Sequence, residues 1–538
     1  MRFSVFFFSS LLAAAAAVLY PPGTPAPPLS LRDANGSTVS LPLPRTPLVA
    51  FAFNASDAWQ APAWASATGV RAFLDLPSTD TTFLFAVYNA SGVAASLTYL
   101  RAQLAAAMAL PPAWTAQRAA DWLRSRATFA ADPVEALGGG WVLDLLQNWT
   151  NANVAADGSL AYSAAEAGAV FTVSAGGALL EAGWLSSRED LRFYGWAAQW
   201  LEFEARLQAN ASAAPTALVP VFDRAFMQGY PGARATVTIP PAPQGSVYTR
   251  LVLDAALGCA SPYESSCAPW DRQAQVLVCC SGNISDPTCG GANLELARYI
   301  TPFRRGVGRW LTDVSPLLPL LVGDQAAPAA PATCSFTFAT DAWAQPWYPS
   351  LTLRLDAAPA PAPAPKRVDV LWSTGAGGNG GIAWGVAFDQ SYNNGTAFPP
   401  RSVTAPPGAT RALLHSVFTG HGADQNNCAE FCVTTHTITI GGVAFAETFA
   451  AAGSDEGCTL ATPEGALPNE HGTWLYGRDG WCDGSAVRPW LVDVTDHFLF
   501  NGSAVEISYR GTFNGGDPDP QPQANMPYII VHSNLVFY

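Results

Sequence analysis

The chain carries little charge for its length, and none of it forms a strongly basic segment. Of its 538 residues only 13% are charged, and acidic residues outnumber Lys and Arg by 41 to 27. No basic run is longer than the pair Arg304–Arg305. Because nucleic acids and anionic membranes attract clustered Lys and Arg, this balance argues against both as partners.

Long apolar runs are scarce too, apart from one at the start. Arg2 is followed by a mainly apolar run, Val5–Val18, that ends in small residues. This pattern is typical of a cleaved secretory signal over residues 1–19. A later apolar stretch, Leu317–Val322, is short and contains a proline, so we expect no membrane span in the mature chain. The sequence therefore predicts an exported, soluble protein.

Cysteine is absent before residue 259. The even number of cysteines fits disulfide formation in an oxidising compartment. They fall into two groups: Cys259, Cys267, Cys279, Cys280, Cys289 and Cys334, then Cys428, Cys432, Cys458 and Cys482. Asn-x-Ser/Thr sequons also fit a glycosylating secretory pathway. They lie at Asn35, Asn54, Asn89, Asn148, Asn210, Asn283, Asn394 and Asn501.

The chain changes character near residue 215. Residues 20–214 are Ala-rich and mix strand-like with helix-like segments, which predicts an α/β domain of unknown role. Beyond it, short alternating runs separated by Gly, Pro and Asn predict an all-β region. The Pro/Ala segment 358–366 is typical of a stiff spacer and divides this region into 215–357 and 367–538. We predict two β-sandwich domains, each with one cysteine group.

One carboxylate stands between two closely spaced cysteines. Glu430 lies within the segment Cys428–Cys432. An extended segment of this length would hold its end Cα atoms about 13 Å apart, beyond the reach of a disulfide. A bridge here would therefore require a tight loop with Glu430 at its apex, which is typical of a site residue.

Other carboxylates in the β region also have arginines and aromatics beside them. Asp271 lies where a cysteine loop meets a strand, with Trp270 as a stacking face and Arg272 as a cation. Glu295 follows on an otherwise apolar, strand-like run. The combination of aromatic, arginine and cysteine recurs over Tyr476–Cys482.

Four motifs resemble, in the same order, those of the peptide-N-glycosidase F family. They are Cys-Ala-Pro-Trp-Asp-Arg at 267–272, Glu-Leu-Ala-Arg-Tyr-Ile-Thr-Pro-Phe at 295–303, Thr-Gly-His-Gly with Asn-Cys-Ala-Glu-Phe-Cys in 419–432, and Gly-Thr-Trp-Leu-Tyr-Gly-Arg-Asp-Gly-Trp-Cys at 472–482. The similarity runs from about Val219 to Tyr538, and the preceding region lies outside the extent of the bacterial enzyme. The resemblance implies two eight-stranded jelly rolls side by side, with the active site in the cleft between them.

The resemblance also implies roles for individual residues. Asp271 would be the principal catalytic carboxylate, assisted by Glu430 and Glu295, while Arg272 and Arg478 would contact substrate. The aromatic residues beside these positions, Trp270 and Trp481, are expected to stack on sugar.

The resemblance further implies three disulfides: Cys259–Cys267, Cys428–Cys432 and Cys458–Cys482. The remaining four cysteines are additions to the family pattern. Because adjacent cysteines rarely pair with each other, we expect Cys289 and Cys334 each to pair with one of Cys279 and Cys280.

The implied activity is hydrolysis of the β-amide between asparagine and N-acetylglucosamine in N-linked glycoproteins or glycopeptides. This reaction needs a base to activate water, donors for the tetrahedral oxyanion and an acid for the departing glycosylamine. Two carboxylates can serve as acid and base if their environments separate their pKa values. No metal or cofactor is required, and we expect a monomer.

Alternative readings stay open at this point. The carboxylates also suit a glycosidase, and the fold suits a non-catalytic glycan-binding protein, although intact Asp271 and Glu430 argue against the latter. Asp271 with Arg272, or Glu295 with Arg298, would in the simplest case be a plain structural ion pair.

Metal sites are a further alternative. A zinc site could be formed by Cys428, Cys432, His421 and His436, but export to an oxidising compartment argues against it because the cysteines would be oxidised. Peptidylglycine monooxygenases share the two-jelly-roll architecture and bind copper through His pairs and a Met. Paired histidines are not evident here, and the second β domain has only Met526, so copper is disfavoured.

Overall fold

The structure is a computed structural model of the chain. It describes residues 25–41, 46–55, 60–76, 80–88, 90–140, 142–145, 170–173, 179–181, 191–261, 263, 266–280, 294–323, 325, 331–341, 344–374, 385–426, 428–469, 473–498, 500–519 and 526–538. The expected signal segment 1–19, Cys289, and the sequons Asn89, Asn148 and Asn283 lie outside these residues. Among the helices of the described residues, none is long and apolar enough to cross a membrane.

An α/β domain precedes residue 215, as the sequence predicts. Its main sheet has the order β5-β4-β3-β6-β7, with β3, β4 and β5 parallel. The strands are β1 (Leu29–Arg32), β2 (Thr38–Leu41), β3 (Leu48–Phe53), β4 (Thr82–Val87), β5 (Ala127–Phe129), β6 (Val170–Val173) and β7 (Leu179–Glu181). The helices are α1 (Gln60–Ala65), α2 (Ala67–Asp75), α3 (Val93–Met108), α4 (Ala116–Ser125) and α5 (Arg192–Ala211). Every residue of β3 and β4 is buried, as expected of strands covered on both faces.

In its described residues, the first β sandwich has eight strands in two four-stranded sheets. Their orders are β13-β10-β15-β8 and β12-β11-β14-β9. The strands are β8 (Ala217–Phe222), β9 (Ala233–Ile239), β10 (Ser246–Gly258), β11 (Gln273–Cys279), β12 (Leu294–Ile300), β13 (Val307–Asp313), β14 (Ala332–Thr340) and β15 (Tyr348–Pro359). A short helix, α6 (Pro319–Val322), follows β13. Alternate residues of β15 are buried, which is the period-two pattern of a strand with one face on the core.

The second β sandwich follows the same plan. Its sheets have the orders β16-β24-β19-β22 and β18-β23-β20-β21, and β17 adds a short pairing to β24. The strands are β16 (Arg367–Ser373), β17 (Val386–Ala387), β18 (Arg401–Thr404), β19 (Ala412–His421), β20 (Thr434–Ile440), β21 (Val443–Thr448), β22 (Trp490–Asp493), β23 (Ala504–Phe513) and β24 (Tyr528–Phe537).

The two sandwiches share one strand order. If the two-residue β17 is set aside, each places its first, eighth, third and sixth strands in one sheet and its second, seventh, fourth and fifth in the other. This is the order of a jelly roll. The mainly β prediction is therefore confirmed. Among the described residues of the second sandwich, β17 is a ninth strand beyond the eight expected.

The sandwiches contact each other directly. The end of β12 pairs with a loop of the second sandwich, since Ile300 N donates to Ser485 O at 3.0 Å and Val487 N donates to Arg298 O at 2.8 Å. Arg298 also donates to Thr419 Oγ1 on β19 at 2.6 Å. These bonds bring the loops after Cys267 and Cys428 to a common region.

Candidate functional site

Arg478 joins two of the predicted carboxylates across the sandwich interface. Its Nη2 donates to Asp271 Oδ2 at 3.3 Å, and its Nε lies 2.9 Å from Glu430 Oε1. The Nε–H does not point at that oxygen, so the second contact is an ion pair without a hydrogen bond. The Arg478 side chain is only 2% exposed, and those of Asp271 and Glu430 are 12% and 19% exposed. The structure thus assembles a buried carboxylate–arginine–carboxylate cluster.

Thr301 fixes the backbone around Asp271. Its hydroxyl accepts from Arg272 N at 2.8 Å and donates to Trp270 O at 2.9 Å. Its own N donates to Arg272 O at 2.7 Å. The residues on both sides of Asp271 are therefore bonded to one threonine, which limits how far the carboxylate moves.

The turn that carries Glu430 is bonded on both sides. Cys428 and Cys432 form a disulfide, so Glu430 does lie in a tight bridged loop. Glu430 N donates to Gly422 O at 3.0 Å, and Asp479 N donates to Glu430 O at 2.9 Å. The second bond places Arg478, the neighbour of Asp479, beside Glu430.

Close backbone approach in this turn requires glycine. A Cβ at Gly420 would collide with the Ala429 carbonyl and the Asp479 side chain. Gly422 adopts a φ of 67°, and a Cβ there would meet the Met526 carbonyl. The glycines of the Thr-Gly-His-Gly motif therefore have a steric role.

Arg478 is held independently of the carboxylates. It donates to Thr473 O at 3.1 Å and to Thr473 Oγ1 at 2.8 Å. Its guanidinium carbon lies 4.3 Å from the ring centroid of Phe431 and 5.1 Å from that of Trp481. Trp481 in turn donates to Gly420 O at 2.8 Å. A cation that lies on aromatic faces and donates to fixed acceptors is preorganised rather than mobile.

The two carboxylates have different pKa values. Burial raises the pKa of Asp271 to about 6, although Arg478 and Arg272 act to lower it. Burial raises the pKa of Glu430 to about 7; Arg478 again acts to lower it, and the nearby Asp271 charge adds to the rise. Because like charges resist joint ionisation, Asp271 ionises first and Glu430 holds its proton longer.

Glu295 lies apart from this pair. Both its oxygens accept from Arg298, at 2.9 and 2.8 Å, and Gln275 donates to it at 2.7 Å. Burial acts to raise its pKa, but Arg298, then His532 and Gln275, outweigh burial and lower it. In the described part of the chain, no hydrogen bond or ion pair joins Glu295 to Asp271 or Glu430. Its contacts are those of a carboxylate that orients Arg298 at the sandwich interface.

The two remaining predicted residues of the first sandwich flank Asp271. Trp270 is 52% exposed and meets Phe303 edge-on, with centroids 6.3 Å apart. Arg272 has a buried Nε with no hydrogen-bond partner among the described residues. An exposed aromatic face and an unsatisfied buried donor beside a carboxylate are features that a bound ligand would use.

The sequence predicts no catalytic or substrate-binding role for His421, which it offers only as a zinc ligand, and no role for Asp483. His421 stacks between Trp481 and Tyr528, and burial together with nearby arginines lowers its pKa to about 3, so it is neutral. Asp483 is fully buried, and burial together with Asp271 raises its pKa well above the usual range. His421 stands in a quoted motif, which was the available signal. Asp483 follows Cys482 without any local feature that marks it.

The disulfides agree with the expected pairs. The structure joins Cys259 to Cys267, Cys428 to Cys432 and Cys458 to Cys482. Cys280 pairs with Cys334, and Cys279 is also disulfide-bonded. The pairing of Cys289 lies outside the described residues.

The alternative zinc site is not assembled. Cys428 and Cys432 are bridged, and His436 bonds to Thr434 and Tyr509. Within the ranges that the structure describes, no three His, Cys, Asp or Glu side chains are grouped so that they could hold a metal ion.

Comparison with known proteins relates both sandwiches to one family. Residues 222–355 match the family described as Peptide-N-glycosidase F, N terminal, and residues 391–536 match Peptide-N-glycosidase F, C terminal, together just over half of the chain. Peptide-N(4)-(N-acetyl-beta-D-glucosaminyl)asparagine amidase F of Elizabethkingia miricola is 27% identical over 350 residues, which is 62% of this chain and 89% of that protein.

Two solved structures are also similar. PNGase F, a glycosylasparaginase from Flavobacterium meningosepticum, is 22% identical with a TM-score of 0.46 and covers 60% of this chain and 95% of its own. PNGF-II is 14% identical with a TM-score of 0.42 and covers 62% of this chain and 67% of its own.

Proposed function

The chain belongs to the peptide-N-glycosidase F family, and from that membership we propose that it hydrolyses the amide bond between an asparagine side chain and N-acetylglucosamine. The substrates are N-linked glycoproteins or glycopeptides. The products are a glycosylamine, which loses ammonia in water, and a peptide with aspartate in place of asparagine.

The observation that carries the proposal is the Asp271–Arg478–Glu430 cluster. Its carboxylates have pKa values of about 6 and about 7, so near neutral pH one is ionised while the other retains its proton in part of the molecules. We assign Asp271 as the base that activates water at the amide carbonyl, and Glu430 as the acid for the departing nitrogen.

The neighbouring residues support this chemistry in different ways. Arg272 is the candidate donor to the tetrahedral oxyanion, because its Nε is buried without a partner in the described residues. Trp270 offers its exposed ring to a sugar. Trp481 is 7% exposed and is covered by His421 and Arg478, so we assign it to positioning Arg478 rather than to sugar stacking.

Glu295 takes a supporting role in this proposal. Glu295 pairs through both its oxygens with Arg298, and Arg298 donates to Thr419 Oγ1. The same Thr419 oxygen lies 2.9 Å from His421 Nε2, so a chain of contacts connects Glu295 to His421. We propose that Glu295 assists catalysis by holding this interface and not by contact with the reacting atoms.

The bridged cysteines and the early apolar run fit an exported enzyme that acts in the secretory pathway or outside the cell. Exported glycoproteins carry the proposed substrate group. We propose that the enzyme acts as a monomer.

The test is the identity of the peptide product. The protein is incubated with a defined N-glycopeptide in the presence of a chelator, and both products are weighed by mass spectrometry. Amide cleavage adds about one dalton to the peptide relative to asparagine, whereas a glycosidase that cuts between sugars leaves about two hundred daltons of N-acetylglucosamine. A peptide that keeps sugar, turnover that the chelator abolishes, or glycan binding without product would each contradict the proposal.

A further inference from the structure

The N-terminal domain reaches the segment that holds Arg478. Trp196 on α5 meets Trp474 edge-to-face, with ring centroids 5.5 Å apart. Trp474 is fully buried, and both rings belong to the apolar core of the N-terminal domain. A tryptophan of the second sandwich is therefore a core residue of the domain that precedes both sandwiches.

Trp474 lies next to the residue that anchors the arginine. Thr473 accepts two hydrogen bonds from Arg478, through its carbonyl at 3.1 Å and its hydroxyl at 2.8 Å. A shift of the Trp474 ring would move the Thr473 backbone and hydroxyl together. The packing of Trp196 thus bears on the position of Arg478 through two covalently linked residues.

The same core also contacts the side of the site that carries Asp271, which belongs to the first sandwich. Phe303 is 3% exposed and belongs to this N-terminal apolar cluster. It packs on Trp270, and it lies two residues after Thr301, which bonds the backbone around Asp271. One hydrophobic cluster therefore packs against both the segment that carries Arg478 and the segment that carries Asp271.

Polar contacts fasten α5 to the second sandwich beyond this cluster. Arg192 forms an ion pair with Glu456 at 2.8 Å, and Arg206 donates to Pro463 O at 2.6 Å. The segment they contact contains Cys458, whose disulfide ties it to the loop that follows Arg478. Helix α5 is thus bonded to the segment on either side of this disulfide.

We propose that the N-terminal α/β domain positions the reacting groups of the sandwiches, with Trp196 as the positioning residue that sets Arg478 through Trp474 and Thr473. Trp196 does not contact substrate. The inference rests on the proposed function, and it assigns a role to the domain for which the sequence predicted none.

The test compares two buried tryptophans of one domain in the full-length chain. Trp196→Leu removes the edge contact with Trp474, whereas Trp64→Leu makes the same change in the same core against β3 and β4. Both variants are checked for folding by circular dichroism. We expect kcat to fall about tenfold in Trp196→Leu with KM within about threefold, and to change less than about twofold in Trp64→Leu. Trp196→Phe, which keeps an aromatic ring at this position, should retain most of the wild-type kcat.

A second readout is independent of turnover. Arg478 acts to lower the pKa of Asp271 and Glu430, so a displaced Arg478 raises both values. Carboxyl NMR titration should show this rise in Trp196→Leu and not in Trp64→Leu. If the wild-type chain releases no glycan but the rise is seen, the proposed function fails and the positioning role stands.

Two results would overturn the inference: equal losses in the two tryptophan variants, or wild-type kinetics and titrations in Trp196→Leu. If Trp196→Leu does not fold, the double variant Arg192→Gln, Arg206→Gln loosens α5 at the surface. It should then lower kcat about threefold with the same direction of pKa change. Unchanged titrations in that folded variant would refute the positioning role.

Discussion

Replacement of Arg478 by lysine tests the centre of the proposed site. Arg478 contacts Asp271 at 3.3 Å and Glu430 at 2.9 Å from different nitrogens of one guanidinium. Lysine keeps the charge but concentrates it at one point, so it cannot reach both carboxylates and Thr473 with the same geometry. The variant therefore loses at least one charge-assisted contact in a buried setting.

The size of the effect follows from that lost contact. A charge-assisted hydrogen bond contributes about 1.5–3 kcal/mol, which corresponds to a fall in kcat/KM of roughly 10- to 150-fold. The carboxylate that loses its cation also has its pKa raised, since Arg478 acts to lower the pKa of both carboxyls. Because Asp271 sets the acidic limb of the pH–rate profile and Glu430 the alkaline limb, we expect at least one limb to move upward by about one pH unit.

The assay is glycan release from a defined glycopeptide, measured between pH 4 and 9 on protein that is folded by circular dichroism. Arg488→Lys is the matched control, because Arg488 is 63% exposed and paired with Glu464 outside the cluster. The control should keep wild-type kinetics. Activity of Arg478→Lys within about threefold of wild type, with both limbs of the pH–rate profile unmoved, would refute the role of the cluster.

Three further predictions concern the carboxylates. Asp271→Asn should lower kcat at least about a hundredfold without loss of folding, and Glu430→Gln should also be severe, as measured by single-turnover glycan release. Wild-type kcat/KM should rise as pH passes about 6, where Asp271 ionises, and fall above about 7, where Glu430 loses its proton; a profile with one limb would contradict the paired roles. Glu295→Gln should have a milder effect on activity but lower the free energy of unfolding by about 3–5 kcal/mol, because buried Arg298 loses its partner. Since folding lowers the pKa of Glu295, its contribution is present above the pKa of the unfolded carboxyl and is lost as pH falls through the folded value, so denaturant midpoints of wild type and variant should converge in acid.

Local sequence patterns determined much of the β region. Apolar and polar residues alternate with period two between turns rich in Gly, Pro and Asn, and this pattern predicts the sandwiches. It is a local signal because side chains alternate between the two faces of a strand whatever the rest of the chain does. The segment Cys428–Cys432 likewise predicted a tight turn around Glu430, because chain geometry allows few shapes that close so short a bridge. The resemblance of the motifs predicts that Asp271 and Arg478 belong to one site, and in the structure these two side chains are in contact.

Only the tertiary structure decided what these residues do to one another. Asp271 and Arg478 are separated by 207 positions, and their contact depends on how two sandwiches pack. Burial raises the pKa values of both Asp271 and Glu430, while the hydrogen bond from Arg478 acts to lower the value of Asp271 and the Asp271 charge adds to the rise at Glu430. The packing also pairs Glu295 with Arg298 and not with those two carboxylates. Spacing along a strand indicates which face of the sheet a side chain occupies. The packing of residues remote in sequence sets the distance between the faces of different domains, and it also determines whether water is excluded between them.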